Sequence, residues 1–186
     1  RTKSRGLGDV YKRQDLWVNG WFGTHDTYIK EAKGKVKAVG NVMSKGGLQG
    51  YLIDKKSADK YGIKTVMDIK KHAKQFDSNG DGKADMVACP PGWGCEKQIT
   101  KHFAELGLGD FINPVQADYS ASMADAIAKF KNGKSVLFYT WTPNWTVGAL
   151  ELGKDIVWIE VPYSETKAVK VPNATKSKIN MGFGAD

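Results

Sequence analysis

Residues 120–141 read SASMADAIAKFKNGKSVLFYTW, and this stretch decides the fold. Met123, Ile127 and Phe130 recur at the spacing of one helix face, which predicts a helix over residues 120–131. Asn132-Gly133 closes it, since both residues tolerate the left-handed backbone on which helices end. The run SVLFYTW that follows reads as a buried strand. A helix feeding a buried strand is the repeating unit of an α/β protein.

The same alternation extends outward. Residues 96–106 read as a helix stopped by Gly107 and Gly109, and DIVWIEVPY at 155–163 as a second buried strand. Toward the N-terminus, KAVGNVM at 37–43 and LQGYLIDKK at 48–56 read as short strands around a Gly-rich loop at 45–47. Helices are expected over residues 57–61 and 66–76, the second with Val66, Ile69, Ala73 and Phe76 on its inner face. Residues 80–86 read as a polar loop and the lysine-rich stretch 167–178 as a solvated surface loop. Strands alternating with helices of about 10–12 residues predict an α/β fold with a mainly parallel sheet.

Composition sets outer bounds. The 186 residues are 41% hydrophobic, 26% charged and 11% aromatic, a globular balance. No apolar run approaches the roughly 18 residues of a membrane-spanning helix. Half of the formal charge of +8 sits in residues 1–14, where Arg1, Lys3, Arg5, Lys12 and Arg13 face only Asp9. Elsewhere lysines are scattered among acids without a basic stripe, so the surface reads as solvated and mildly cationic, with no nucleic-acid footprint. No apolar core or cleavage site follows the basic segment, so it is not a signal peptide. Residues 1–14 are set aside as an artefact outside the fold.

Three tryptophan motifs carry the candidate chemistry: Trp21-Phe-Gly-Thr-His25, Pro91-Gly-Trp93-Gly-Cys95-Glu96 and Tyr139-Thr-Trp141-Thr-Pro-Asn-Trp145. Each sets a Trp beside Gly or Pro at a turn, whereas Trp158 in DIVWIEV sits in a strand, as a packing Trp does. Rigid loops present binding groups in this way, and indole faces around one point would hold a quaternary ammonium at about 0.5–2 kcal/mol per contact. In CPPGWGCEK, Cys95 and Glu96 open a helix whose unsatisfied N–H groups suit a carboxylate. An aromatic face and a carboxylate cradle thus share one loop, matching a zwitterion.

The cysteines admit several readings. A Cys89–Cys95 disulfide would stiffen the loop and imply an oxidising compartment. The CxxxxxC spacing is wrong for common zinc sites, and the chain holds three histidines. A thiol enzyme using Cys95 at the helix start, with His25 as base, is the alternative function. Asp77, Asn79, Asp81 and Asp85 match the opening of a calcium loop, but Ala88 stands where the closing bidentate Glu belongs. A turn built from Asn-Gly and Asp-Gly accounts for the same residues.

Taken together, QGYLIDKKSADKYGI, FDSNGDGKAD, PPGWGCE, MADAIAKFKNGK, YTWTPNW and GKDIVWIEVP resemble the glycine betaine/proline betaine substrate-binding proteins of osmoprotectant ABC transporters, over most of residues 17–184. The resemblance implies the type II periplasmic binding-protein fold, two α/β lobes that close over ligand at a hinge. It implies a cage of three Trp for the trimethylammonium, with a His and backbone amides on the carboxylate. Carried over motif by motif, the cage falls on Trp21, Trp93 and Trp141, the carboxylate-binding His on His25, and the amide donors on Gly94 and Cys95. The family disulfide falls on Cys89 and Cys95. The first motif reads NGWFGTH where the family is nearer NWTPLH, so Trp17 rivals Trp21.

The family is roughly three hundred residues long, so the resemblance implies a chain truncated at both ends. One lobe is complete over residues 58–178. Residues 15–57 supply part of the other lobe with its hinge strand, and residues 179–186 the start of the return hinge. The implied function is non-catalytic, extracytoplasmic or periplasmic capture of glycine betaine, proline betaine, choline, carnitine or a sulfonium analogue. It needs no cofactor and no metal, works as a monomer, and has an ABC permease as partner.

Overall fold

The computed structural model describes residues 15–43, 47–165 and 174–175. The basic segment 1–14, positions 44–46 of the Gly-rich loop, most of the lysine-rich stretch 167–178, and residues 179–186 lie outside the described residues. The chain divides into two compact units, one reaching to Val42 and the other starting at Met43.

The first unit contains helix α1, Asp26–Glu31, with Asp26 in its first turn and Lys30 in its last, complementing the helix dipole. Asp26 Oδ1 accepts the Gly23 N–H at 3.0 Å and ties the preceding turn to the helix. The strand expected over residues 37–43 does not form: the stretch is exposed and irregular. Gly40 adopts φ 67°, a left-handed step that interrupts an extended run.

The second unit is built on a five-stranded sheet of order β3-β2-β4-β1-β5. Its strands are β1 Leu48–Asp54, β2 Ala84–Val87, β3 Ile112–Val115, β4 Leu137–Thr142 and β5 Ile156–Ile159. The helices are α2 Lys55–Tyr61, α3 Gly94–Leu106, α4 Tyr119–Lys131 and the short α5 Thr146–Ala149. Pairs β2–β3 and β2–β4 are parallel, with α3 between β2 and β3 and α4 between β3 and β4. The sheet is mixed rather than mainly parallel, because β1 runs antiparallel to both β4 and β5. Hydrophobic periodicity reports burial but not direction, so the sequence left that reversal hidden.

Other differences follow from local chemistry. Residues 66–76 form two 3₁₀ segments, Val66–Lys71 and Ala73–Gln75, instead of one α-helix. A Thr65/Asp68 capping box starts the first, and His72 at φ −127° breaks the run. Val66, Ile69, Ala73 and Phe76 are nevertheless all buried, since a three-residue spacing also suits a 3₁₀ turn. The stretch read as a polar loop over 80–86 already enters β2 at Ala84, where burial alternates along Ala84–Val87. β3 was not expected at all: its Pro114 argues against a central strand, and β3 lies at the sheet edge where proline is tolerated.

The core lies on this sheet, with Tyr51, Leu52, Ile53, Met86, Ile112, Met123, Phe138 and Trp158 almost wholly buried. Asp54 links β1 to α2 and β4. Its Oδ1 accepts the Ser57 N–H at 2.8 Å as a helix cap, and its Oδ2 accepts the Val136 N–H at 3.0 Å. Among the described residues no helix is long and apolar enough to cross a membrane.

Candidate functional site

Two loops at strand ends bring Trp93 and Trp141 together. Trp93 is the N-cap of α3, immediately after the PPG turn that follows β2, and Gly92 takes φ 87°, which a glycine accommodates without strain. Trp141 is the penultimate residue of β4 and pairs with Gln49 of β1. The two indoles lie 5.9 Å apart, centroid to centroid, at 69°. Trp93 is 44% exposed, well beyond a packing tryptophan such as Trp158 at 1%.

Gly94 and Cys95 are the first residues of α3, a helix of 13 residues. Their N–H groups belong to the first turn, where no intrahelical acceptor exists and the dipole favours an anion. The only acid in that turn, Glu96, has Oε1 within 3.3 Å of Thr100 Oγ1, one turn further along the helix. Cys89 and Cys95 form a disulfide, with Cα atoms 5.9 Å apart, that closes the Trp93 loop onto the helix start. The pairing leaves no thiolate, so the alternative of a thiol enzyme using Cys95 and His25 lacks its nucleophile.

Two tyrosines complete the cluster, and sequence reasoning assigned neither a role. Tyr119 lies 6.0 Å from Trp93 and 5.0 Å from Trp141, tilted 35° and 37°. Tyr139 lies 6.0 Å from Trp141. Tyr119 immediately precedes the expected helix and sits one turn before Met123, a signal that it shares the inner face. Burial holds the phenol protons: the Tyr119 hydroxyl is pushed up to about 12, hydrogen bonds with Thr140 and Thr146 opposing the shift. The Tyr139 hydroxyl is likewise pushed well above its usual value. Near neutral pH both phenols are therefore uncharged, and they back the two indoles from the core side as neutral buried rings.

In the first unit, Trp21 and His25 are locked to each other. The His25 N–H donates to the Trp21 carbonyl at 2.8 Å, and the Trp21 N–H donates to His25 Nδ1 at 3.0 Å. With Nδ1 accepting, the neutral ring carries its proton on Nε2, which makes that atom a donor. The rival Trp17 stacks on His25 at 5.0 Å, whereas the Trp21 indole N–H donates to Asn19 at 2.9 Å. Both tryptophans therefore attend His25, one through its ring and one through its backbone.

The loop of the expected calcium motif uses its carboxylates on its own backbone. Asp77 accepts the N–H groups of Asn79, Gly80 and Gly82 at 3.1, 2.6 and 2.8 Å. The bonds from Gly82 and Gly80 hold its carboxyl below the usual carboxylate range. Asp81 accepts from Lys83 N at 2.9 Å, and Asp85 from Ser78 N at 2.9 Å. Among the described residues no group of three or more His, Cys, Asp and Glu side chains is gathered as a metal would need. A cavity of about 420 Å³ opens elsewhere on the second unit, lined by Lys55, Asp59, Ile63, Lys64, Val157 and Thr175 among others. None of the sequence-derived site residues borders it, so the aromatic cluster, with its convergent chemistry, is the better candidate.

The second unit thus sets indole faces beside a helix N-terminus, the two chemistries that suit a cationic group and an anionic one. The chain belongs to the OpuAC family, described as the substrate binding domain of ABC-type glycine betaine transport systems, whose model matches residues 11–179. It is 44% identical over 167 residues to the glycine betaine-binding periplasmic protein OusX of Dickeya dadantii, covering 88% of this chain and 50% of the relative. It is also 44% identical over 171 residues to the glycine betaine/proline betaine-binding periplasmic protein of Escherichia coli, covering 88% of this chain and 51% of that one. The chain thus spans about half the length of the curated relatives it matches. Among solved structures, an ABC-transporter choline binding protein in complex with choline matches with TM-score 0.57 at 22% identity, over 80% of this chain and 48% of that one. That likeness supports the α/β binding-protein fold.

Proposed function

We propose that this chain captures glycine betaine, or a related quaternary-ammonium compound such as the zwitterion proline betaine or the cation choline, without chemically changing it. The single observation that carries the reading is the Trp93–Trp141 pair at 5.9 Å beside the N-terminus of α3. A trimethylammonium over an indole face gains cation–π attraction and loses little hydration, and the carboxylate a few ångströms away finds the amides of Gly94 and Cys95. In the first unit, Trp21 and His25 offer the same two chemistries, an aromatic face and an N–H donor. Capture requires neither nucleophile nor cofactor, in keeping with relatives described as binding proteins.

The whole-protein setting is part of the same proposal. The ligand is handed to an ABC permease, the protein acts as a monomer outside the cytoplasm, and the disulfide fits an oxidising compartment. The lobe expected over residues 58–178 extends back to include β1, Leu48–Asp54, whose strand lies in its sheet, while residues 15–42 and 179–186 contribute to the other lobe and the hinge. The test is calorimetric titration with glycine betaine of the chain and its Trp93→Ala and Trp141→Ala variants. Each substitution is expected to weaken binding by roughly tenfold or more, as losing about 1.4 kcal/mol or more would. Unchanged affinity in both variants would remove the cage.

A further inference from the structure

Tyr119 is only 4% exposed, so a bound cation has little access to its face, yet its ring touches both indoles of the candidate site. A hydroxyl chain fixes that ring. Tyr119 Oη donates to Thr140 Oγ1 at 2.8 Å and lies 3.1 Å from the Tyr139 carbonyl oxygen. The Thr140 and Thr146 hydroxyls are 2.7 Å apart, and both threonines are fully buried. The Thr146 N–H in turn donates to Asn144 Oδ1 at 3.1 Å, pinning the turn that leaves β4. A buried polar chain costs stability unless its members are satisfied, and once satisfied it selects one arrangement of the groups around it.

The chain also ties β4, which bears Trp141, to α4 and α5, and reaches Trp93 through the Tyr119 ring. Thr140 precedes Trp141 in β4, Thr146 opens α5, and Tyr119 opens α4 with its ring against Trp93. Cation–π attraction depends on where the cation sits over each face, so the angle between the indoles governs which headgroup can use both.

We propose that Tyr119, locked by Thr140 and Thr146, is a positioning residue that sets the Trp93–Trp141 angle and hence the cation headgroup this pair accepts. The proposal deepens the betaine reading and rests on it. The test uses the chain with Tyr119→Phe, which keeps the ring and loses the hydroxyl, with Thr146→Val, and with both together. Each is followed by thermal midpoint, by near-ultraviolet circular dichroism of the tryptophans, and by titration with glycine betaine and with tetramethylammonium. Tyr119→Phe is expected to alter the tryptophan dichroism and weaken both ligands on the order of fivefold to tenfold, the factor for about one net hydrogen bond. Thr146→Val is expected to act in the same direction, and the double variant to be no worse than the weaker single, since the residues act as one unit.

A lowered midpoint with unchanged dichroism and unchanged affinity of the folded fraction means a merely structural role and overturns the proposal. If Tyr119→Phe fails to fold, Thr146→Val decides on the same readouts. If the parent chain binds neither ligand while the dichroism still shifts in the variants, the positioning of the indoles stands and the betaine reading falls. If the parent binds and the variants match it in both readouts, the positioning falls and the betaine reading stands.

Discussion

Whether an indole packs or binds is decided by a few residues on either side of it. Trp158 lies within β5 and is 1% exposed, while Trp93 follows a Pro-Pro-Gly turn and is 44% exposed. Trp158→Ala is therefore expected to lower unfolding free energy by about 3–5 kcal/mol in urea titration, and Trp93→Ala by much less. Equal losses would contradict the division. His25 supports a second expectation: its Nδ1 accepts the Trp21 N–H, and the role proposed for it through its motif is recognition of the ligand carboxylate. His25→Ala should weaken glycine betaine more than tetramethylammonium, which carries no carboxylate. A uniform loss for both ligands would assign His25 to packing alone.

At the scale of elements, the loop between Cys89 and Cys95 carries an indole and a helix start together. Replacing both cysteines by serine is expected to cost about 2 kcal/mol of stability, the chain-entropy value for so short a loop, and to weaken glycine betaine binding. Retained affinity in the folded double variant would show that the disulfide does not organise the loop. The elements legible in the sequence were those with strong periodicity or long apolar runs: α3, α4, β1, β4 and β5. β2 and β3 escaped because four-residue strands bearing Asp85 or Pro114 carry little pattern. The candidate site was legible where a Trp met Gly or Pro, as at Trp93 and Trp141. Tyr119 and its threonine partners were not, because a hydroxyl chain between residues 119, 140 and 146 arises only when the sheet brings them together.

For the whole second unit, buried phenols set the behaviour in alkali. Tyr51 and Tyr139 are held well above their usual value by burial, and Tyr119 is raised to about 12 for the same reason. The folded state binds these protons more tightly than the unfolded chain, so their contribution is complete below about pH 10 and is lost as pH rises beyond it. The thermal midpoint should fall steeply above about pH 10, together with the appearance of tyrosinate absorbance. A flat midpoint through that range would contradict the buried hydroxyl network.

The central claim, that the exposed Trp93 and half-buried Trp141 indoles beside a helix N-terminus bind a quaternary-ammonium zwitterion, is tested most directly by tryptophan fluorescence. The folded chain is titrated with glycine betaine, and plain glycine, which keeps the carboxylate but lacks the three methyl groups, is the control. A saturable change with glycine betaine and none with glycine is the predicted result. No response to glycine betaine, or the same response to both, would contradict it and return Trp93 and Trp141 to ordinary packing.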